Sequence, residues 1–314
     1  MRLSVVIPCY RSSATLPELV ARLHATLGAE SGSPASDYEV VLVVDGSPDD
    51  TAAVARGLAA HAKVRCLELR RNYGQHNALL AGVLRARHEV VVTMDDDLQH
   101  RPDQIAALVE PLREESVDLV YGVAQEEEHG FWRSLASRAV KRGLGASGVP
   151  SATDVSAFRA FRRDLAPVFS QVNDPYVSMD VLLSWATTAV RRVVVQMDER
   201  TVGTSNYSLR SLVRHTLNMV TGYSTLPLRS VAWLGAFCAA LGIGLLAFVL
   251  VKFVAGEVTV AGWTTLASMI AIFSGAQMIS IAVLGEYVGR LHTRSMQRPT
   301  YVVRRDSAAA DGDD

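Results

Sequence analysis

The first hundred residues alternate between two hydrophobic patterns. Four short runs are continuously apolar and rich in β-branched residues, namely LSVVIPCY, YEVVLVVDGS, VRCLEL and EVVVTMDDD. Such runs are typical of parallel strands that are buried on both faces. The segments between them, TLPELVARLHATLG, DDTAAVARGLAAHA and HNALLAGVLRAR, are predicted to be helices. The βαβαβαβ order predicts an α/β fold with an open, mostly parallel sheet and helices on both faces.

Two much longer apolar stretches lie towards the C-terminus. No charged residue occurs between Arg229 and Lys252, and a second uncharged stretch begins at Val258. Each is long enough to cross the hydrocarbon core of a bilayer, which takes roughly 20 helical residues. The segment between them is too short to be a domain, so the sequence predicts a transmembrane helical hairpin with spans at about 231–251 and 263–284.

The flanks of this hairpin predict its orientation. Both flanking segments, RHTLNMVTGYSTLPLRS and GRLHTRSMQRPTYVVRR, carry Arg residues, which favour the cytoplasmic side of a membrane. We therefore expect the N-terminal domain and both termini to be cytoplasmic. The predicted organisation is a domain at 1–205, a juxtamembrane amphipathic helix region at 206–229, the hairpin at 230–285 and a C-terminal segment at 286–314 that ends in a disordered tail, SAAADGDD.

The juxtamembrane region has helical periodicity. Its apolar positions are Leu209, Leu212, Val213, Leu217 and Val220, with cations among them. A helix of this kind either lies in the membrane interface or packs on the neighbouring domain as an ordinary amphipathic helix. The sequence leaves both interpretations open.

Three adjacent aspartates follow the fourth predicted strand, in TMDDDLQHRP. Their carboxylates repel one another unless a cation, hydrogen-bond donors or water compensates them, so the triplet alone allows either a solvated capping loop or a metal site. Ligands of open α/β sheets bind beyond the carboxyl ends of the strands, where the turns at 8–10 and 45–47 also fall. This convergence favours a site in which Asp95 and Asp97 face one Mg²⁺ or Mn²⁺ ion and Asp96 points elsewhere.

Several other classes of site are disfavoured. None of the three strand ends carries GxGxxG or GxxxxGK[ST], so the crevice is neither a dinucleotide site nor a P-loop. The three cysteines form no CxxC pair, which argues against a disulfide scaffold or a zinc knuckle. The net charge of −1 gives no argument for nucleic acid as a partner, and we expect none.

Two further aspartates have alternative interpretations. Asp45, at the end of the second strand, is placed to accept a hydrogen bond from a base or a ribose, but in VDGSPDDT it is equally suited to form the turn. Asp154, in TDVSAFRAF, is suited to orient an acceptor or to act as a base, but its position favours a helix N-cap.

Seven motifs resemble a known family in their combination and order. They are VVIPCYRS, VVDGSPDDT, RRNYGQHNAL, MDDDLQHRP, DVSAFRAFRR, ERTVGTSNYSLRSL and LGEYVGRLHTRSMQRPTYVV. Together they resemble the polyprenyl-phosphate glycosyltransferases of glycosyltransferase family 2, such as dolichyl-phosphate mannose synthase and bacterial undecaprenyl-phosphate sugar transferases. The resemblance covers nearly the whole chain. It implies a GT-A fold, a nucleotide-sugar donor, inverting transfer to a polyprenyl phosphate and a location in a bacterial-type inner membrane, and it allows a homo-oligomer.

The resemblance also implies residue roles. The nucleotide sugar would be bound by Pro8, Tyr10, Asp45, Asp95, Asp96, Asp97 and Gln99, and the metal by Asp95, Asp97 and Gln99. By motif match Arg200 and Ser205 would bind the acceptor phosphate, and we expect Arg133 and Arg138 to substitute there for cations that the family pattern has and this chain lacks. With Asp154 from the chemical argument, the expected catalytic residues are Asp97, Asp154 and Arg200. For Arg200 the alternative is a surface ion pair with Asp198 or Glu199.

The chain departs from the family pattern at three positions, where Ser12, Ala124 and Asn206 replace the usual Glu, Arg and Lys. These departures leave the donor open. They also keep a non-catalytic, membrane-tethered nucleotide-sugar-binding protein as an alternative. A polysaccharide synthase is disfavoured, because the chain lacks QxxRW and the additional spans.

Overall fold

A computed structural model of the chain describes residues 1–28, 33–124, 156–171, 177–198, 226–255 and 262–308. The chain divides into two compact units. The first comprises Met1–Asn206 and Gln297–Asp314, and the second comprises Tyr207–Met296.

The first unit contains an eight-stranded sheet and five α-helices among its described residues. The strands are β1 (Arg2–Cys9), β2 (Asp37–Val44), β3 (Val64–Leu69), β4 (Val90–Thr93), β5 (Leu119–Ala124), β6 (Arg159–Arg162), β7 (Val190–Val195) and β8 (Val303–Asp306). The helices are α1 (Leu16–Leu27), α2 (Thr51–Leu58), α3 (Gln75–Val83), α4 (Ile105–Val109) and α5 (Met179–Ala186). Short 3₁₀ helices span Pro102–Gln104, Glu110–Arg113 and Arg163–Gln171.

The strand order is β7-β5-β6-β4-β1-β2-β3-β8. Strand β1 pairs in parallel with β2 and β4, and β2 pairs in parallel with β3, so the predicted parallel centre is confirmed. Two strands that the hydrophobic pattern did not predict run antiparallel: β6 lies between β4 and β5, and β8 pairs with β3. The sheet is therefore mixed.

Helices cover both faces of the sheet, as predicted. Side chains alternate along β1, so that Val5 and Ile7 join the core formed with α1 and α4, whereas Val6 joins the core formed with α3 and α5. Helix α3 lies very close to the sheet, because a Cβ on Gly82 would come within 2.4 Å of a Val6 methyl group. Continuous apolar strands are thus buried on both sides.

The C-terminal segment returns to the first unit as β8. Arg65 donates to both carboxylate oxygens of Asp306, at 2.9 and 2.6 Å. Ser307, in the stretch predicted to be disordered, exchanges hydrogen bonds with the backbone of Cys66 at 3.0 Å. Residues 309–314 lie outside the described residues.

The second unit contains the helices α6 (Leu226–Val254) and α7 (Trp263–Ser295). Pro227–Leu245 and Ile272–Ser295 are long and apolar enough to cross a membrane, judged by length and composition only. Helix α7 continues past Leu284, where the second span was predicted to end. Most of the predicted juxtamembrane helix lies outside the described residues.

Candidate active site

The carboxyl ends of β1 to β4 surround a cavity of about 250 Å³. It is lined by Pro8, Cys9, Tyr10, Asp45, Asn72, Gly74, Gln75, Asp95, Asp96 and Asp97. The structure therefore brings together all the predicted nucleotide-sugar-binding residues except Gln99, which is not among the lining residues. Their roles in binding remain predictions.

The three adjacent aspartates face different partners. The side-chain amide of Gln75 donates to Asp95 Oδ1 at 2.5 Å, and the backbone N–H of Gln99 donates to Asp97 Oδ1 at 3.1 Å. Asp96 instead accepts the backbone N–H of Tyr10 at 3.1 Å. Asp96 therefore faces the loop after β1, in a direction separate from its two neighbours.

Asp96 also differs from an exposed aspartate in its pKa. Burial raises the pKa of Asp96 to about 6, and the neighbouring charge of Asp95 adds to the effect. A carboxyl group whose pKa is raised in this way binds a proton more readily than its exposed counterpart. Protonation of Asp96, which removes one of the three adjacent charges, therefore becomes significant as the pH falls towards 6.

Two histidines near the site have structural partners. His100 Nδ1 accepts the backbone N–H of Asp95 at 3.0 Å, and its ring stacks on Phe158 with centroids 5.1 Å apart. Burial lowers the pKa of His100 to about 4, so the ring is neutral at pH 7. His76 Nδ1 accepts the backbone N–H of Met179 at 3.3 Å. Both rings hold the backbone around the crevice.

Asp45 connects two of the turns that form the crevice. Its two carboxylate oxygens accept the backbone N–H groups of Tyr73 and Gly74 at 2.7 and 2.8 Å. Burial raises its pKa even though both hydrogen bonds favour the carboxylate. The next residue, Gly46, has φ +57°, and a Cβ there would come within 2.2 Å of the backbone of Arg71. Asp45 thus has the turn-forming role, while its contact with a nucleotide remains a prediction.

The sequence did not identify Gln75 or Asn72 as site residues, and it did not identify Asp49 as a residue that holds the neighbouring turn. Gln75 and Asn72 follow β3, so the same rule about the carboxyl ends of parallel strands would have found them. Asp49 lies in the turn after β2. Although burial opposes its ionisation, hydrogen bonds from Ser47 and Thr51 hold the pKa of Asp49 below its usual range.

The donor atoms of the crevice fit a hard divalent cation. Among the described residues, no three His, Cys, Asp or Glu side chains form a group that could hold a metal ion alone. Asp95 and Asp97 would supply one or two carboxylates, and Mg²⁺ and similar ions take their remaining ligands from water and substrate phosphates. The residues present therefore fit a metal that binds together with a diphosphate.

The predicted residues Arg133, Arg138, Asp154, Arg200 and Ser205 lie outside the described residues. The described chain that leads towards Arg200 passes beside the aspartate turn, because the N–H of Asp198 donates to the carbonyl of Gln99 at 2.9 Å. The carboxylate of Asp198 lies 3.7 Å from Arg22 and 3.8 Å from Arg101. Among the described residues, Asp198 therefore has two cationic neighbours.

Comparisons with known proteins extend over both units. Residues 4–167 match Glycosyl transferase family 2. An undecaprenyl-phosphate 4-deoxy-4-formamido-L-arabinose transferase of Sodalis glossinidius is 34% identical over 96% of this chain and 93% of its own length. A protein of the same name from Shewanella sediminis is 33% identical over 96% of this chain and 91% of its own.

Solved structures show a similar fold over 70% of the chain. Mannosyl-3-phosphoglycerate synthase from Rubrobacter xylanophilus has a TM-score of 0.51 and 18% identity, covering 70% of this chain and 72% of its own. Glucosyl-3-phosphoglycerate synthase from Mycobacterium tuberculosis has a TM-score of 0.50 and 22% identity, covering 70% of this chain and 76% of its own. At these identities the likeness shows the fold, and the predicted GT-A fold is confirmed.

Proposed function

The chain belongs to glycosyl transferase family 2, and we propose that it transfers a sugar from a nucleoside-diphosphate sugar to a polyprenyl phosphate of the undecaprenyl type. The observation that carries this proposal is that one chain contains both a carboxylate-lined crevice and two long apolar helices. The crevice fits a water-soluble, charged donor, and the helices fit an acceptor that stays in a membrane. The product is a polyprenyl monophosphate sugar made at the cytoplasmic face, for use in the cell envelope.

The donor diphosphate would bind at the carboxyl ends of β1 to β4. Asp95 and Asp97 would hold Mg²⁺ or Mn²⁺ against it, with Gln99 beside them as predicted. The metal, when bound, offsets the charge that develops on the departing nucleoside diphosphate. A mycobacterial synthase of similar fold was solved with Mn²⁺ and UDP, which supports both a divalent ion and a nucleotide here.

The acceptor needs positioning more than activation. A phosphate monoester is already ionised near neutral pH, so one of its oxygens can attack the anomeric carbon with little help from a base. Arg side chains suit this task because the guanidinium group binds two phosphate oxygens at once. We assign it to Arg200 with Ser205, Arg133 and Arg138, and we assign Asp154 to orienting the acceptor or acting as its base.

The test is an activity assay of the full-length protein in lipid nanodiscs. A panel of UDP-, GDP- and dTDP-sugars is offered with undecaprenyl phosphate and Mn²⁺, and the lipid product is identified by mass spectrometry. We expect one donor class to give a polyprenyl monophosphate sugar, and excess EDTA to abolish its formation. A protein that binds a nucleotide sugar but transfers nothing to any acceptor lipid would contradict the proposal and favour the non-catalytic alternative.

A further inference from the structure

A buried charged network lies at the end of β4, and no step of the proposed reaction uses it. Arg159, on β6, is only 1% exposed. The strand register places Thr93 of β4 and Tyr121 of β5 directly opposite it. Because paired residues on neighbouring strands point to the same face, these three side chains form a row across the sheet.

Each side chain of this row has a hydrogen-bond partner. Arg159 Nε donates to Thr93 Oγ1 at 3.0 Å, and Thr93 Oγ1 donates to the carbonyl of Ala157 at 2.7 Å. Arg159 Nη1 donates to the carboxylate of Asp180, in the first turn of α5. The hydroxyl of Tyr121 donates to the same carboxylate at 3.3 Å. The network thus joins three strands to one helix.

Stability alone gives little reason for this arrangement. Removing a guanidinium and a carboxylate from water is costly, and apolar side chains of similar volume often stabilise a core as well or better. Burial raises the pKa of Tyr121, and the charge of Asp180 adds to the effect, so the hydroxyl keeps its proton and remains a donor. What the network provides is a fixed geometry at the point where β4 ends.

That point immediately precedes the predicted metal ligands. Thr93 is the last residue of β4, and Asp95 follows after one intervening residue. A second connection reaches Asp95 from the same helix, since the N–H of Met179 at the start of α5 donates to His76. The residue before His76 is Gln75, whose amide donates to Asp95.

We propose that Arg159, with Asp180, Tyr121 and Thr93, is a positioning network that orients Asp95 for binding the metal and the donor diphosphate. The inference rests on the proposed function of the crevice. Groups that orient metal ligands from outside the coordination shell typically change metal affinity about 10- to 100-fold when they are removed. We expect an effect of this size on Mn²⁺ binding.

The experiment measures Mn²⁺ binding by electron paramagnetic resonance on the full-length protein in nanodiscs, with UDP as the nucleotide probe and GDP and dTDP in parallel. Thr93→Val keeps the volume and the strand preference but removes the oxygen that accepts from Arg159. Asp180→Asn removes the charge that pairs with it. Both should weaken Mn²⁺ binding by about 10- to 100-fold, and Tyr121→Phe should weaken it less.

The matched control is Arg162→Lys on the same strand. Arg162 pairs with Val90 at the opposite end of β4, and its guanidinium donates to the carbonyls of Leu112, Glu114 and Val117. This variant should lower the thermal midpoint and leave Mn²⁺ affinity unchanged. If it weakened Mn²⁺ binding as much as Thr93→Val, the effect would be general to the sheet and the inference would be wrong.

A double variant separates positioning from stability. Arg159→Met combined with Asp180→Leu removes both buried charges, so the thermal midpoint should approach that of the wild type while Mn²⁺ affinity stays low. Recovery of both quantities would overturn the inference, as would unchanged affinity in Thr93→Val. A wild-type protein that binds no Mn²⁺ with any of the three nucleotides would instead contradict the proposed metal site itself, and the inference with it.

Discussion

Two aspartate-rich turns at the same edge of the sheet use their carboxylates in different ways. After β2, Asp45 accepts two backbone N–H groups of a neighbouring loop. Asp49 accepts donors from Ser47 and Thr51 in its own turn and the hydroxyl of Ser13 in the loop after β1. After β4, Asp95 accepts the side-chain amide of Gln75 and Asp97 accepts the backbone N–H of Gln99. Asp45 is 3% exposed, whereas Asp95 and Asp97 are half-buried.

Two turns with similar composition can therefore use their carboxylates for different purposes. A carboxylate that accepts several backbone N–H groups fixes the fold locally, because those donors cannot move without moving the chain. A carboxylate that is oriented by a side-chain amide can bind a metal as well, because an ionised carboxylate has about four lone-pair sites. We therefore expect the β2 turn to govern stability and the β4 turn to govern activity, and substitutions can test this division.

The largest effect is expected for Asp97→Asn. Loss of a charged group that would hold the metal on the leaving diphosphate should lower turnover at least about 100-fold while the thermal midpoint changes little. Lipid-linked product formation measures turnover, and differential scanning fluorimetry measures the midpoint. The control is Asp103→Asn, since Asp103 lies in the same segment but pairs with Arg101 at the surface. Full activity of Asp97→Asn would contradict the prediction that Asp97 binds the metal.

The second prediction concerns pH and the His100 ring that holds the β4 turn. Below pH 6.5 the unfolded chain takes up a proton on His100, whereas in the folded protein the His100 ring stays neutral down to about pH 4. Stability should therefore fall through this window, by roughly 3 kcal/mol if the full shift applies. Asp96 acts in the opposite sense, because its raised pKa favours the folded state as the pH falls below 6.

Thermal midpoints of the wild type and His100→Asn between pH 7 and 4.5 isolate the histidine contribution. The Asn side-chain oxygen can replace Nδ1 as the acceptor for Asp95 without gaining a charge. The variant should lose less stability on acidification than the wild type. Identical pH profiles would show that the ring is not the titrating group.

The third prediction tests the β2 turn through Asp45→Asn. An amide presents only one acceptor oxygen, so one of the N–H groups of Tyr73 and Gly74 would be left facing another donor. An unsatisfied buried donor costs about 1 to 3 kcal/mol, which should appear as a lower thermal midpoint. If the division between the turns holds, activity per folded molecule should fall far less than in Asp97→Asn. Comparable loss of activity without loss of stability would instead favour the predicted nucleotide contact.

The smallest effect is expected for Gln75→Ala, which removes the side-chain amide that donates a hydrogen bond to Asp95. We expect the Mn²⁺ concentration for half-maximal rate to rise about 10-fold, with the rate at saturating Mn²⁺ nearly unchanged. Gln104→Ala is the control, because its amide also donates to a carboxylate, that of Asp103, but away from the crevice. An unaltered Mn²⁺ requirement in Gln75→Ala would show that Asp95 does not depend on this contact.

The sequence predicted the parallel centre of the fold well for a local reason. The strands β1 to β4 are continuous apolar runs that differ clearly from the amphipathic helices between them. Once their order is known, the carboxyl ends must meet at one edge of the sheet, which is why the crevice and most of its lining residues could be named. Gln75 and Asn72 were missed because the rule about the carboxyl ends of parallel strands was not applied to the end of β3.

The sequence by itself therefore determined the alternating α/β order, the edge at which chemistry-bearing residues gather and the presence of two long apolar helices. Only the tertiary structure decided that β6 enters between β4 and β5 and that β8 returns to β3, since VRRD and RAFR have no distinctive strand pattern and pair with residues far away in sequence. It also decided that Asp45 is held by backbone N–H groups and that Asp95 is held by a side-chain amide. Such pairings depend on what each group meets after folding, and local sequence does not encode that environment.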